Sequence, residues 1–199
     1  MSTMIDIEQK STHDPRPLIV GIGGTLSSPS SSERALRHAL AAAERRGART
    51  QLFAGAALDI PMYTVDRAQR TPQSREMVDA IAQADGVIIA SPGYHGGISG
   101  LVKNALDYIE DLREDDRPYL DGRGVGCIVV AYGWQATTTT LVSLRSTVHA
   151  LRGWPTPLGV VINSSLGVFD QDGNVSDQRC ADQLDALGDQ VMSLVGARR

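Results

Sequence analysis

Residues 87–107 limit the fold more tightly than any other part of this chain. A β-branched apolar run, Val87-Ile88-Ile89-Ala90, stops at a loop dense in Gly and Pro (residues 91–97), and an amphipathic helix opens directly after it. Strand, loop and helix in that order form half of a parallel βαβ unit, and open α/β sheets bind small molecules at the carboxyl ends of their strands. At that place the loop sets an aromatic (Tyr94), an imidazole (His95) and the glycines Gly93, Gly96 and Gly97 side by side.

The same alternation recurs along the chain. Residues 1–16 have no period and lead into Pro15-Arg16-Pro17, which predicts a mobile tail ahead of one domain over residues 17–199. A first strand (18–22) leads through a hydroxyl-rich loop to a helix with Ala35, Leu36, Ala39, Leu40 and Ala43 on one face, ending near Gly47. A weaker second strand (50–54) and a longer connection precede a helix over 72–84 with Met77, Val78 and Ile81 inward. The helix after Gly97 carries Ile98, Leu101, Val102, Ala105, Leu106, Ile109 and Leu112 on one stripe, wide enough to serve both the core and a neighbouring subunit. A fourth strand (124–132) is followed by a loop, Gly133-Trp134-Gln135-Ala136 and four threonines. A helix bearing Leu141, Leu144, Val148 and Leu151 comes next and ends at Trp154-Pro155-Thr156-Pro157. A fifth strand (158–162), a polar segment with the turn signal Asp172-Gly173, and a last helix with Cys180, Leu184, Leu187, Val191 and Leu194 complete the chain. Five short strands alternating with helices require an α/β parallel sheet covered on both faces, and right-handed crossovers favour the order 2-1-3-4-5. Its ligand crevice lies above strands one, three and four.

The totals agree with a globular α/β domain. A chain of 199 residues that is 42% apolar can bury a core without staples, and its net charge of −4 speaks against nucleic acid or an anionic membrane as partner. Cys127 and Cys180 lack metal-site or CxxC spacing and read as buried, inert thiols suited to a reducing cytoplasm. No signal-peptide pattern and no bilayer-length apolar stretch is present, so a soluble intracellular protein is expected.

Three loops carry the chemistry. In the first, Thr25, Ser27, Ser30, Ser31 and Ser32 stand where a helix begins, and amides freed at a helix start favour a dianion. The P-loop pattern fails because no lysine follows the glycines, and the dinucleotide fingerprint that begins at Gly21 and Gly23 has Leu26 at its sixth position. Taken alone, the serines also fit a plain helix cap. In the second loop, Pro92, Gly93, Tyr94, His95, Gly96 and Gly97 can hold the polar rim of a flat heterocycle, the glycines by allowing positive φ. Tyr94 also fits a packing role, and His95, without a second ligand at useful spacing, reads as a hydrogen-bonding group rather than a metal ligand. In the third, Gly133 and Trp134 at the end of the fourth strand can flank a ring system, or Trp134 can be a rim residue under a lid. Lys103 and Asp107 form an i,i+4 surface pair. Together the loops describe a phosphorylated planar ligand across the sheet edge, with no metal ligands and no acid–base catalyst among them.

With these residues in view the chain resembles the NADPH-dependent FMN reductase family of flavodoxin-like proteins. The resemblance rests on Gly24-Thr25-Leu26-Ser27 with Ser30 and Ser32, on the Ser-Pro, Tyr, Ser-Gly, Lys-Asn and Leu-Asp pattern from Ser91 to Asp107, and on Gly133. It spans residues 18–162. The chain departs from the family pattern at Ser27, where Arg is frequent, and at His95, where Asn or Lys is frequent. The resemblance implies a flavodoxin-like three-layer sandwich binding FMN, its phosphate on Thr25, Ser27, Ser30 and Ser32 and its ring against residues 92–97 and Gly133-Trp134. It also implies NADPH or NADH as co-substrate, and a homodimer or homotetramer built partly on the helix after Gly97. Hydride would pass from NAD(P)H to the flavin and on to a small acceptor: free flavin, a quinone, an azo dye or a metal oxyanion, with a flavin-dependent monooxygenase as a further partner class. Arg113 and Arg117 are candidates for a 2′-phosphate. A flavodoxin-type electron carrier and a non-redox ligand-binding regulator would use the same crevice. A phosphoacceptor receiver domain is disfavoured, because Gly23-Gly24 and Ser91 stand where it needs acidic residues.

Overall fold

The computed structural model describes residues 14–197. The expected tail therefore lies outside the described residues except for its last three positions. The elements in chain order are β1 (Leu18–Gly23), α1 (Ser31–Arg45), β2 (Arg49–Ala54), α2 (Pro72–Gln83), β3 (Gly86–Tyr94), β4 (Gly97–Ile98), α3 (Gly100–Asp107), β5 (Gly124–Ala131), α4 (Trp134–Ala150), β6 (Trp154–Pro155), β7 (Val160–Asn163) and α5 (Gln178–Gly196). Four of the five helices begin at a side-chain cap, Ser30, Thr71, Ser99 or Asp177, each accepting a bond from an amide three residues on.

The main sheet is parallel, with β2, β1, β3 and β5 side by side and both β6 and β7 beyond β5. This is the expected 2-1-3-4-5 path, with its fifth position divided in two. Trp154 pairs with Gly124 and Pro155 with Val125, and the ladder resumes only at Val160 opposite Ile128. Pro155 and Pro157 supply no N–H, so a continuous strand cannot pass through them. The interruption is held by Thr156, whose amide donates to the Val125 carbonyl at 2.9 Å and whose hydroxyl donates to the Leu158 carbonyl at 2.7 Å. Trp154 and Pro155 are thus part of the sheet rather than a helix stop, and the fifth strand proper is Val160–Asn163.

Alternation along the strands sorts the core into two layers. Leu18, Val20, Ile22, Val87 and Ile89 pack with residues of α2, α3 and α4, whereas Ile19, Ile88, Ile128 and Val130 pack with α1 and α5. On the second face β1 carries Gly21, where a Cβ would stand 2.6 Å from Leu40 Cδ1, so α1 lies close on the sheet. Both cysteines are buried. No helix of the described residues is long and apolar enough to cross a membrane.

The helix expected after Gly97 is shorter than its stripe. Ile98 belongs to β4, α3 ends at Asp107, and a tighter 3-10 turn, Tyr108–Leu112, completes the segment. Val102, Ala105, Leu106, Ile109 and Leu112 all lie in this chain's own core, so the stripe leaves little over for a second subunit. The threonines after Trp134 are helical rather than loop. The hydroxyls of Thr137 and Thr138 both donate to the Trp134 carbonyl, and that of Thr139 to the Gln135 carbonyl, so α4 keeps its polar residues satisfied from its first turn.

Candidate functional site

The loops leaving β1, β3 and β5 meet at one cavity of about 550 Å3. Thr25, Ser27, Ser30, Ser31 and Ser32 form one wall, and Pro92, Gly93, Tyr94 and His95 another. No Lys, Arg, Asp or Glu among the described residues lines it, so an anion there would be met by dipoles and hydroxyls of these walls.

The first wall is built by the start of α1. Ser30 is 6% exposed; its Oγ accepts from the Glu33 amide at 3.3 Å and lies 3.2 Å from Ser32 Oγ. Ser31 and Ser32 occupy the first helical turn, where backbone amides have no intrahelical acceptor, and the positive end of a 15-residue helix stands behind them. Thr25 donates its hydroxyl to the Ser27 carbonyl at 2.8 Å, which fixes the loop. Glu33, in the same turn, is held by Arg37 at 2.7 Å. The chain can approach this closely because Gly23 has no side chain: a Cβ there would lie 2.1 Å from the Ala90 carbonyl oxygen.

The second wall is a hairpin. β3 runs on to Tyr94, and Tyr94 pairs antiparallel with Gly97. The two residues between them, His95 and Gly96, have φ of 53° and 83°, the backbone signature of a type I′ turn. Of the three glycines expected to supply positive φ, only Gly96 does so; Gly97 has ordinary backbone, and so does Gly93. Gly93 is needed for space instead, since a Cβ would meet Thr140 Oγ1 at 2.9 Å and Ala131 Cβ at 3.0 Å. The hairpin is pinned underneath by Ser91, whose buried Oγ accepts from the Ser99 amide at 3.0 Å and donates to the Pro92 carbonyl at 2.8 Å. Tyr94 is 55% exposed and stands at the cavity mouth.

The third side differs from expectation. Gly96, Gly97, Gly133 and Trp134 do not line this cavity, whereas Tyr132, Ala136 and Ser164 do. Trp134 is the first residue of α4 and faces a neighbouring cavity bounded by Val161, Leu166 and Cys180. Gly133 serves the turn: its φ is 107°, and its amide donates to Asn163 Oδ1 at 3.0 Å. Tyr132 and Ser164 immediately follow β5 and β7, the positions that parallel strands present to a crevice, and that placement was the signal available for finding them.

Other motif residues work as braces. Asn104, 4% exposed, accepts from the Tyr63 amide at 2.8 Å and donates to the Pro61 carbonyl at 3.0 Å, tying the long connection after β2 to α3. The connection is further held by Arg70, which grips both oxygens of Asp111 at 2.6 and 2.9 Å and lies over the rings of Tyr63 and Tyr108. The Asp111 carboxylate holds the Arg70 guanidinium above its usual range. Lys103 and Asp107 pair on the surface at 2.5 Å. Arg117 lies far from the cavity: it donates to the Ala84 carbonyl, at the amino end of β3. Arg113 pairs with Glu114 at 3.3 Å and follows Leu112, whose carbonyl accepts from Tyr119 at that same end of the sheet.

Comparison with known proteins gives a consistent picture. The NADPH-dependent FMN reductase family pattern matches residues 17–166. An NADPH azoreductase from Bacillus sp. (strain OY1-2) is 27% identical over 64% of this chain and 67% of its own length. An FMN-dependent NADPH-azoreductase from Staphylococcus aureus (strain USA300) is 26% identical over 68% of this chain and 73% of its own. Among solved structures, the flavoenzyme NAD(P)H:(acceptor) oxidoreductase FerB from Paracoccus denitrificans superposes with a TM-score of 0.73 at 19% identity, covering 91% of this chain and 98% of the other. The fold is the flavodoxin-like α/β sandwich.

Proposed function

This chain belongs to the NADPH-dependent FMN reductase family, and from that premise we propose that it oxidises NADPH or NADH through an FMN seated in the cavity between Thr25 and Tyr132. One observation carries the placement: the unengaged first-turn amides of α1 and a cluster of hydroxyls face the same space as the Tyr94–Gly97 hairpin. Ser27, Ser30, Ser31 and Ser32 would hold the phosphate, with Thr25 shaping the loop around it. Pro92, Gly93, Tyr94 and His95 would lie against the ring from one side and Tyr132 from the other. Gly96, Gly97 and Gly133 act by fixing the turns. Bound FMN would supply the redox chemistry, taking two electrons from the nicotinamide and releasing them to an acceptor.

The chain's own part is to orient and to shield. Neutral donors hold a dianion without placing a cation beside it, and the I′ turn keeps His95 and its amide at the rim. No side chain need transfer a proton. The acceptor is a small molecule, with azo compounds first because curated relatives act on them, then free flavin and quinones. A homodimer or homotetramer in the cytoplasm is the state in which it would work. Steady-state oxidation of NADPH by the purified protein, with and without added FMN and with an azo dye or a quinone as acceptor, tests this. FMN-dependent turnover is expected; tight flavin binding with no NAD(P)H turnover would assign the chain to single-electron carriers instead.

A further inference from the structure

Among the described residues that line the flavin cavity, only His95 has a side chain of the kind that ordinarily titrates between about pH 5 and pH 8. Its imidazole is exposed and forms no hydrogen bond or ion pair among the described residues. Its place on the wall is nonetheless set by the backbone. A φ of 53° puts it at the first central position of the I′ turn, and Ser91 pins that hairpin by accepting from the Ser99 amide at 3.0 Å. No charged side chain among the described residues lines the cavity beside it, and the phenols Tyr94 and Tyr132 belong to a class that titrates near pH 10. Helix α4 meets the hairpin at Thr139, whose Cγ2 would stand 3.6 Å from a Cβ on Gly96; its first charged residue is Arg145, which donates to the Thr156 carbonyl at 2.7 Å. On α1, Glu33 is paired with Arg37 at 2.7 Å, and on α3, Lys103 is paired with Asp107.

Charge bookkeeping gives that imidazole a task. A hydride is a proton with two electrons, so a neutral ring that accepts one, leaving NAD(P)+ behind, gains one negative charge. We propose that His95 supplies the counter-charge: its protonated imidazole favours the reduced ring, and its own hold on a proton tightens when the ring is reduced. The electrons pass from nicotinamide to ring. Any proton that His95 gains comes from solvent, stays on an imidazole nitrogen and returns to solvent on reoxidation, so none is handed to substrate. The inference rests on the seating of FMN in this cavity. Its sign is definite: the advantage to the reduced ring is present at low pH and is lost as pH rises through the imidazole's range. Opposite unit charges within one small cavity shift an equilibrium about threefold even at the dielectric of water.

Midpoint potentials of the FMN-loaded full-length protein, measured from about pH 5.5 to about pH 8.5, test it against His95→Asn and His95→Lys. Asn suits the I′ turn and is uncharged throughout, whereas Lys keeps its charge throughout. Comparison among the three cancels the titration of the flavin's own phosphate and ring. At the acid end the parent should hold reduced over oxidised FMN at least about threefold better than His95→Asn, about 14 mV in a two-electron potential. At the alkaline end those two should coincide, and His95→Lys should stay above both. By the same linkage the His95 imidazole resonance, identified by its loss in His95→Asn, should titrate about half a pH unit higher in reduced than in oxidised protein. Parallel curves for parent and His95→Asn, or a resonance unmoved by reduction, would overturn the inference while leaving the flavin reading intact. Failure to take up FMN would overturn both.

Discussion

Ser30→Asp separates phosphate recognition from the rest of flavin binding. Asp is as good a helix cap as Ser, so the bond from the Glu33 amide survives and α1 keeps its start. What changes is a unit negative charge on a side chain now only 6% exposed, facing the position assigned to a dianion. At a separation of about 5 Å the repulsion is roughly 1.7 kcal/mol with the dielectric of water and roughly 7 kcal/mol at an effective value of 20. The cavity opens to solvent but the side chain itself is nearly buried, so the lower figure is a floor, and FMN affinity should fall at least about 15- to 20-fold. Riboflavin lacks the phosphate and should bind the variant as it binds the parent. Fluorescence titrations with both flavins measure the two dissociation constants, and added salt should narrow the gap between them. An unchanged ratio of FMN to riboflavin affinity in Ser30→Asp would remove the start of α1 from the phosphate site.

Three further outcomes follow from packing and burial. Arg70→Ala leaves the Asp111 carboxylate, 13% exposed, without its bidentate partner and should cost about 3 kcal/mol or more in urea denaturation; a loss under about 1 kcal/mol would contradict the brace assigned to it. Gly23→Ala puts a Cβ 2.1 Å from a backbone carbonyl that cannot rotate away, so destabilisation of about 1–3 kcal/mol is expected together with weaker FMN binding, whereas a neutral variant would show that β1 and β3 can part. Burial pushes the Cys127 thiol up to about 12 and the Cys180 thiol up to about 11 from the ordinary 9.0, so neither should be alkylated by iodoacetamide in the folded protein at neutral pH. Because the unfolded chain releases these protons first, the thiols' contribution to stability is intact below about pH 9 and is lost as pH rises through the folded values; denaturation midpoints that rise over that window would contradict the burial.

Much of this was legible in the sequence where local pattern and final structure agree. The runs around Ile19, Ile88 and Ile128 are buried on both faces and read as strands by composition alone, and the glycine-rich turn after Ile89 marks the crevice. The misreadings have definite causes. Trp154-Pro155 resembled a helix stop because proline usually ends helices, yet here it sits at a sheet edge where a missing N–H is tolerated. The run of threonines suggested a loop, but their hydroxyls bond back to carbonyls within α4. Trp134 was placed on the flavin side because it follows Gly133; Trp134 and Ala136 lie two residues apart in α4, about 200° around its axis, so Ala136 joins Tyr132 in the wall while Trp134 faces the neighbouring cavity. The grip of Arg70 on Asp111 joins residues 41 positions apart, and no local pattern announces such a pair.

The central claim is that a single cavity formed by the ends of β1, β3 and β5 carries a redox-active FMN reached by NAD(P)H. Its most direct test is an anaerobic titration with NADPH of protein loaded with one FMN per chain, followed by the flavin's visible absorption band. Complete bleaching at about one NADPH per bound flavin, restored by an azo dye or by oxygen, is the outcome required. A protein that takes up no FMN, or a bound flavin that keeps its colour in excess NADPH and NADH, would contradict the account.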